Sequence, residues 1–432
     1  MKKVAFYIDN RSISSVNCSS ITEGNPGIGG TEYLIILIST LLSQRDNDIE
    51  VTLFCTSNGT FPKELNSRTI NDIKETINIC SNENFDYLII KHDANNIKSN
   101  YLDKSGTKII IWCHTFVCYW ELDYYNKNKN IEKIIYVGKE MRDLYRDHKS
   151  FYKSTYIYNC VNIDSAKDIT NKHPYKDRSN IVTYMGSIVP YKGFHILAEA
   201  WPIVKAKVPD AELYIIGSGK LYDTNQTLGR HGIAEKSYED YFMRFLKKGC
   251  DIPQDIHFCG ILGSEKKDIL VKTKVGVPNP SGITETFCIS AVEMQMYGAK
   301  VTTINYPGFI DTIKNGVLYS HKRKLAKNII RLLSSTSNNN YNDAIGYFQD
   351  NFSLQSVIVK WEALLNREEL YPNEKISNIT YRFKWLKEVC RFLKKNIPFF
   401  NIMPPIERIL LFIERAIYGN ITYMDSNFSL ER

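Results

Sequence analysis

The chain lacks the features that mark several classes of protein. Its ten cysteines include no Cys-x-x-Cys pair, and the closest two are Cys113 and Cys118. Scattered cysteines of this kind favour buried, reduced thiols in a cytoplasmic protein over disulfides or a zinc site. No uncharged apolar run reaches the length of about 18 residues that a membrane-spanning helix needs. The first residues are basic, but the apolar stretch after them is short and ends at Asp9, which predicts a strand and not a signal peptide.

Composition places the chain among folded proteins with a modest positive charge. Its 432 residues are 43% hydrophobic and 24% charged, as in ordinary globular domains. This length exceeds what one hydrophobic core usually holds, so two domains are expected. The net charge of +8 is not a nucleic-acid signature unless the charges cluster, and no nucleic-acid partner is predicted.

Short strand-like runs alternate with helical patterns along most of the chain. A polar, strand-poor stretch at 164–180 is typical of a linker and divides the pattern in two. Strands are predicted before it at residues 4–8, 50–55, 87–91, 108–113, 133–137 and 154–157. Strands are predicted after it at residues 181–185, 212–216, 256–258, 274–278 and 300–304. Helices are predicted at residues 33–43, 195–207, 289–297 and 343–368.

This alternation predicts an α/β protein with open, mainly parallel sheets and helices on both faces. Two Rossmann-like, doubly wound domains are expected, at residues 1–165 and 177–365, and residues 366–432 form a helical C-terminal extension. Ligands of such folds bind outside the carboxyl ends of the strands. The cleft between the two sheets is therefore the expected site.

Two carboxylates, Glu285 and Glu293, mark the most informative stretch, residues 274–298. A strand, a loop of small residues and a helix start follow one another there, and the free backbone N–H groups of a helix start attract anions. Eight positions on a helix are slightly more than two turns, so both carboxylates are expected on one side of it. Two acids beside an anion site are suited to binding sugar hydroxyls next to a phosphate. The alternative is an exposed acid at a helix start and a second acid on the surface.

Several motifs, in order along residues 1–365, resemble those of retaining glycosyltransferases with the GT-B fold. The resemblance is to glycosyltransferase family 4, also called glycosyl transferases group 1, of the kind that builds bacterial surface polysaccharides. Its strongest motif is the stretch from Pro278 to Glu293, followed by Tyr297-Gly298. The resemblance implies that Glu285 contacts hydroxyls of the donor sugar and that Glu293 contacts the ribose.

The same resemblance implies a diphosphate site at the start of this helix. The backbone N–H groups that would face the diphosphate belong to Thr286, Phe287, Cys288 and Ile289. Cys288 stands where the family usually has glycine, and its backbone is expected to be helical.

A second motif, residues 186–193, resembles the family's Gly-Arg-Leu and Lys-Gly pair. Lys192 would offset the charge of the departing diphosphate, whereas Ser187 replaces the family's arginine. One cationic partner is therefore missing or is supplied by another part of the chain. The alternative for Lys192 is a solvated loop lysine.

The resemblance implies further donor contacts at the ends of predicted strands. Gly217 ends a strand in Gly-x-Gly, and Gly260 with the helix after it would cradle the base. Gly29 and Gly30 would let the first domain approach the donor phosphates, and His114 would contact the donor sugar. A flexible glycine loop and an ordinary turn histidine are the alternatives.

The resemblance implies transfer of a hexose or an N-acetylhexosamine, with retention, from a donor such as a UDP- or GDP-sugar. The donor is a substrate, and the resemblance implies neither a cofactor nor a metal ion. This agrees with the absence of an Asp-x-Asp triplet from any loop placed to bind metal. The acceptor would be a hydroxyl of a glycan or lipid-linked glycan, in O-antigen, lipopolysaccharide or capsule synthesis. Two alternatives stay open: a GT-B epimerase or phosphorylase, and a non-catalytic nucleotide-sugar-binding partner of another transferase.

The C-terminal extension combines basic and apolar residues. Six lysines and arginines alternate with aromatic and aliphatic residues over 382–395, and an apolar helix is predicted at 406–418. This pattern favours peripheral contact with an anionic membrane through 382–418, which would place the protein on the cytoplasmic face of the inner membrane. The alternative is a helix that packs on the catalytic domains with a solvated basic face.

Overall fold

The computed structural model describes residues 1–45, 48–164, 173–221, 226–247, 251–371 and 384–406, with the single positions 166, 170, 249 and 409. The strands of the first domain are β1 (Lys2–Ile8), β2 (Ile49–Cys55), β3 (Asn66–Thr69), β4 (Tyr87–Lys91), β5 (Lys108–Cys113), β6 (Ile131–Tyr136) and β7 (Ser154–Tyr156). Its helices are α1 (Gly30–Ser43), α2 (Ile73–Asn82), α3 (Ala94–Lys98), α4 (Tyr119–Lys127) and α5 (Lys139–Asp143). The strands form a seven-stranded sheet in the order β3-β2-β1-β4-β5-β6-β7.

The second domain repeats this design after the crossover. Its strands are β8 (Ile181–Met185), β9 (Glu212–Ile216), β10 (Ile256–Gly260), β11 (Val275–Gly276), β12 (Lys300–Ile304) and β13 (Gly316–Tyr319), in the order β10-β9-β8-β11-β12-β13. Its first helices are α6 (Phe194–Lys207), α7 (Lys236–Leu246), α8 (Lys266–Leu270) and α9 (Ile289–Met296). The later helices are α10 (Pro307–Thr312), α11 (Leu325–Leu333), α12 (Tyr341–Phe352) and α13 (Leu354–Leu365).

Every pairing between neighbouring strands of these two sheets is parallel, which confirms the predicted fold class. The physical reason lies in the strands themselves. Strands such as β1 and β5 are nearly continuous apolar runs, buried on both faces by helices, as parallel sheets require. The two strands missed by the sequence pattern, β3 and β13, lie at sheet edges, where β3 is polar and largely exposed.

The long helix predicted at 343–368 is two helices that meet at Ser353. The Ser353 hydroxyl accepts the N–H of Ser356 and caps α13. At this junction the chain returns to the first domain. It passes beside the segment at Val161 by which it left that domain, since the N–H of Val161 donates to the carbonyl oxygen of Phe352 at 2.9 Å. The two crossings of the chain between the domains are therefore neighbours.

Helix α13 packs on the first domain through Trp361, which is fully buried. Its ring centroid lies 6.0 Å from that of Phe6 on β1 and 4.8 Å from that of Trp112 on β5. One continuous apolar cluster runs from the first sheet into α9, α12 and α13. Helix α13, which follows the second sheet, is thus anchored on the first domain.

A buried carboxylate also joins the two domains. Asp311 on α10 accepts the backbone N–H of Glu140 at 3.0 Å and the hydroxyl of Tyr158 at 3.1 Å, both from the first domain. Burial, together with the charge of Glu140, raises the pKa of Asp311 to about 7. The protonation state of Asp311 therefore changes near neutral pH.

The C-terminal extension contributes helix α14 (Lys384–Asn396), which packs on the first domain. Arg146 lies 3.1 Å from Glu388, and Lys394 lies 3.1 Å from Asp147. Most of the helix predicted at 406–418 lies outside the described residues. Among the residues that the structure describes, no helix is both long and apolar enough to cross a membrane.

Candidate active site

A cavity opens between the carboxyl ends of the two sheets. The first domain supplies the glycine-rich loop before α1, and the second supplies the ends of β8 and β9 and the start of α9. The predicted site residues that line the cavity are Gly30, Ser187, Lys192, Gly217, Glu285, Phe287, Cys288, Ile289 and Glu293. Of the other four, Gly29, Gly260 and Thr286 are chain neighbours of lining residues, and His114 is hydrogen-bonded to Thr286.

Glu285 is held on the wall of this cavity by two donors. Its Oε2 lies 2.9 Å from the Nζ of Lys192 and accepts the side-chain N–H of Asn279 at 2.8 Å. The side chains of Lys192 and Glu285 are only 15% and 10% exposed. Lys192 is therefore part of the cavity and not a solvated loop lysine.

A close approach between two loops brings Lys192 to Glu285. Lys192 ends a short 3₁₀ turn, and Gly193 after it has φ of 69°. A Cβ at Gly193 would lie 2.7 Å from the backbone nitrogen of Ser281, so only glycine fits there. The hydroxyl of Ser281 in turn donates to the carbonyl oxygen of Tyr191 at 2.6 Å. The Lys-Gly pair thus serves to dock one loop on the other.

The expectation that one helix carries both carboxylates is wrong. Helix α9 begins at Ile289, and Glu285 stands in the loop before it. That loop is sharply turned, because Gly282 has φ of 71° and Thr284 has φ of 61°. A positive φ is unusual for a β-branched residue, and such backbone strain clusters at functional sites. The two carboxylates share the cavity because the loop turns back, not because of helical spacing.

Glu293 forms a second ion pair in the cavity. Its Oε1 lies 2.6 Å from the Nζ of Lys266, the first residue of α8, and both side chains are mostly buried. The region after Gly260 was predicted to cradle the base, but this pairing was not predicted. The charged side chains among the described cavity residues are thus two lysines and two glutamates.

Cys288 is the N-cap residue of α9, with φ of −87° and ψ of 90°. Its backbone is therefore not helical, contrary to the expectation. A negative φ suits any L-residue, so cysteine replaces glycine here without backbone strain. Burial raises the pKa of the Cys288 thiol, with a smaller contribution from the charge of Glu285. The thiol is therefore neutral. It adds no negative charge that would oppose the binding of an anion at the N-terminus of α9.

His114 contacts the loop of Glu285 across the domain interface through its backbone and does not itself line the cavity. The hydroxyl of Thr286 donates to the carbonyl oxygen of His114 at 2.7 Å, and the imidazole lies 4.4 Å from the ring of Trp112. Burial and, less strongly, the charge of Lys91 lower the pKa of His114 to about 3, so its imidazole is neutral. Its buried Nε2 has no hydrogen-bond partner among the described residues. A buried polar atom of this kind is suited to a ligand hydroxyl.

The predicted glycines lie at the ends of strands and at a helix start. The N–H of Gly217 donates to the carbonyl oxygen of Gly260 at 2.7 Å. A Cβ at Gly217 would lie 1.9 Å from a carbonyl oxygen of Gly186, so only glycine permits this approach. Gly29 is the N-cap residue of α1, which begins at Gly30. Ser187 is buried and donates to the carbonyl oxygen of Ser218, so it brings no charge to the site.

Two asparagines that the sequence did not single out organise the site. Asn279 holds Glu285, and the Oδ1 of Asn25 accepts the N–H groups of Gly27 and Ile28 in the glycine-rich loop. The placement of Asn279 between two prolines was the available signal. In the part of the chain that the structure describes, no group of three His, Cys, Asp or Glu side chains is placed to hold a metal ion.

Comparison with known proteins agrees with this architecture. Residues 165–347 match the model of a family described as glycosyl transferases group 1. No curated protein sequence matches the chain. A glycosyltransferase from Rickettsia africae has a TM-score of 0.61 at 15% identity, with 86% of this chain and 99% of that chain covered.

Two more solved structures resemble the chain over most of its length. An α,α-trehalose 6-phosphate synthase from Burkholderia multivorans has a TM-score of 0.63 at 9% identity, covering 85% of this chain and 96% of its own. An apo lipopolysaccharide outer core galactosyltransferase has a TM-score of 0.55 at 14% identity, covering 84% and 99%. The chain therefore has the GT-B fold, and with the family match these findings support a GT-B glycosyltransferase.

Proposed function

We propose that the chain is a retaining glycosyltransferase of family 4. It transfers a hexose or N-acetylhexosamine from a nucleotide sugar, such as a UDP- or GDP-sugar, to a hydroxyl of a glycan or lipid-linked glycan. The observation that carries the proposal is the Lys192–Glu285 pair at 2.9 Å, in a cavity that also holds the start of α9. This cavity offers a carboxylate for sugar hydroxyls next to a cation and a helix start for phosphate.

The two ion pairs support a proposed position for the donor. Glu293 and the end of β10 would hold the nucleoside, with the carboxylate on the ribose hydroxyls. Glu285 would accept hydroxyls of the sugar, and the neutral imidazole of His114 would bond another hydroxyl through its unpartnered Nε2. The diphosphate would then lie between these two ends, at the N-terminus of α9.

Two lysines are available to offset the charge of the diphosphate. In the cavity Lys192 and Lys266 are each paired with a glutamate, so the four charged side chains sum to zero. When hydroxyl groups bind the two glutamates, both ammonium groups can turn toward phosphate oxygens. Lys266 would thus supply the positive charge that is missing because Ser187 replaces the family's arginine. This arrangement stabilises charge that grows on the leaving group, and it needs no metal ion.

The transfer step follows from retention. The acceptor hydroxyl approaches the anomeric carbon on the face from which the diphosphate departs. The bond from the anomeric carbon to the phosphate oxygen breaks, the bond to the acceptor oxygen forms, and the acceptor proton passes to the leaving phosphate oxygen. The lysines and the helix start favour this step because the negative charge on the diphosphate is largest as the bond breaks.

The acceptor is proposed to belong to a bacterial surface glycan such as O-antigen, lipopolysaccharide or capsule. In support, one structure with the same fold is a lipopolysaccharide outer core galactosyltransferase. A lipid-linked acceptor would be met at a membrane, and the C-terminal extension is proposed to hold the protein at the cytoplasmic face of the inner membrane. The region for this contact is residues 382–418, of which 384–406 and 409 are described.

A panel of nucleotide sugars tests the proposal. The true donor at about 100 times its dissociation constant should stabilise the protein by about 2.7 kcal/mol, which thermal unfolding detects. With that donor and glycan acceptors, a product with the anomeric configuration of the donor is expected by NMR. A binder without transfer would indicate the non-catalytic alternative, and sugar isomerisation or phosphate-dependent cleavage would indicate an epimerase or phosphorylase. An inverted product would contradict retention.

A further inference from the structure

Helix α14 is docked with three of its charged side chains inward and two aromatic side chains outward. Lys387, Glu388 and Lys394 are buried, whereas Trp385 is 69% exposed and Phe392 is 65% exposed. The outward pair lies seven positions apart, as residues two turns apart on one stripe of a helix do. An amphipathic helix on a globular domain normally buries the opposite stripe.

The inward orientation is set by specific partners in the first domain. Lys394 pairs with Asp147 at 3.1 Å and also donates to its carbonyl oxygen. Glu388 pairs with Arg146 at 3.1 Å, and Lys387 donates to the carbonyl oxygen of Leu144 at 3.3 Å. A rotation of the helix that buried Trp385 would break these buried ion pairs, which strongly disfavours it. The outward position of the aromatic stripe is therefore imposed by the docking.

More exposed apolar side chains follow the helix along the chain. The next short turn, Pro398–Ile402, exposes Phe399 and Ile402, and Tyr152 of the first domain lines a shallow groove with Trp385 and Phe392. We call Tyr152, Trp385 and Phe392, which line this groove together, the aromatic face. Of the thirteen large hydrophobic side chains exposed among the described residues, six lie between positions 385 and 402. Such clustering marks an interaction surface, since single exposed apolar residues are ordinary.

We propose that the aromatic face inserts into the interfacial layer of a lipid bilayer that carries anionic headgroups. Tryptophan, tyrosine and phenylalanine favour that layer, where rings meet both apolar chains and polar headgroups. Charge supports this occupant. The only acidic residue between positions 384 and 406 is Glu388, which is buried, while Lys395 beside Phe392 and Lys149 near Tyr152 are exposed. Along residues 384–406, anionic headgroups would therefore meet cations and no exposed carboxylate. Exposed Glu368 and Glu369 lie in a separate pocket, which Tyr152 also lines.

This inference sharpens the membrane contact of the proposed function and rests on that proposal only for the lipid-linked acceptor. It also changes the expected mode of binding. The sequence pattern predicted contact through basic and aromatic residues together, but Lys387 and Lys394 are paired inside the protein. Insertion of aromatic rings should then contribute more than charge. Binding should depend on salt more weakly than for a polybasic segment.

The test uses the full chain and vesicles of phosphatidylcholine mixed with phosphatidylglycerol. Wild-type protein should co-sediment with them. Trp385→Ser combined with Phe392→Ser should weaken partitioning at least about tenfold, since both substitutions remove apolar area that the bilayer would bury. Trp120→Ser is the matched control, because Trp120 is an exposed tryptophan, 49% exposed, on α4. It should bind vesicles like the wild type. Equal partitioning of the double variant and the wild type would overturn the proposal.

Two further measurements keep the result independent of folding and of the transferase proposal. Lipids brominated near the headgroup should quench tryptophan fluorescence of the wild type more than that of the Trp385→Ser variant. Stabilisation by the nucleotide-sugar donor should be the same in the double variant as in the wild type.

If the wild type fails to bind vesicles, but the double variant alone becomes monomeric in ultracentrifugation, the face is a contact between copies of this chain. If a chain ending at residue 409 binds vesicles and the full chain does not, residues 410–432 cover the face.

Discussion

Lys192 and Glu285, 93 positions apart in the chain, form an ion pair of 2.9 Å within the cavity between the two domains. The pair is fixed by Asn279 on the same carboxylate oxygen and by the contact of Gly193 with Ser281. A cation and a carboxylate in contact hold each other in place until a ligand offers both a better partner. The proposed donor would offer sugar hydroxyls to Glu285 and phosphate oxygens to Lys192.

Replacing Glu285 with alanine should abolish transfer while the fold stays intact. The variant loses the acceptor for sugar hydroxyls, so turnover should fall at least about 100-fold. Initial rates with the identified donor measure this. Glu64→Ala is the control, since Glu64 is an exposed glutamate of the first domain, and its rate should be unchanged. Near-normal turnover of Glu285→Ala, with an unchanged melting temperature, would refute the assignment of Glu285.

Replacing Lys266 with methionine should weaken binding of the nucleoside diphosphate by about 10- to 100-fold, the range for a lost hydrogen bond between charged groups. Affinity for the nucleoside alone should change little, because it has no phosphate. Calorimetric titration with both ligands measures the difference, and Lys267→Met, at an exposed neighbour, serves as control. If nucleoside and diphosphate lose affinity equally, Lys266 only orients Glu293.

Replacing Trp361 with alanine should destabilise the protein by about 3–5 kcal/mol, as for other large buried aromatic residues. The substitution opens a cavity against Phe6 and Trp112, where α13 anchors the end of the second domain on the first. Denaturant unfolding measures the loss. Val359→Ala, at an exposed position on the same helix, should cost less than about 0.5 kcal/mol. Similar losses at both positions would contradict the anchoring role.

Replacing Asp311 with asparagine should flatten the dependence of stability on pH. The pKa of Asp311 is raised to about 7 in the folded protein, above its ordinary value of 3.8. Its protonated form is therefore favoured by folding, and that contribution is complete below about pH 4 and lost as pH rises through about 7. Melting temperatures from pH 5 to pH 8 should fall more for the wild type than for Asp311→Asn. A parallel fall in both proteins would show that another group titrates.

The parallel sheets could be predicted because their central strands are short apolar runs between helical patterns. β3 escaped prediction because an exposed edge strand carries no apolar signal. At the site, the motif around Glu285 could be located from the order of small residues, strand and helix. The partners of its two glutamates, Asn279 and Lys266, could not be predicted. Asparagine and lysine are common in loops and at helix starts, and only the tertiary fold brings these two to Glu285 and Glu293.

By itself the sequence determined most of the strands, the parallel α/β class and the loop that carries Glu285, because these depend on local patterns of apolar, small and charged residues. Tertiary structure alone decided which groups meet. The turn at Thr284 put two carboxylates in one cavity, and the contact between the domains put His114 beside Thr286. It also turned α14 so that its charges pair with Arg146 and Asp147 while its aromatic stripe stays outside. Those outcomes rest on contacts between distant residues, whose energies depend on how the whole chain packs.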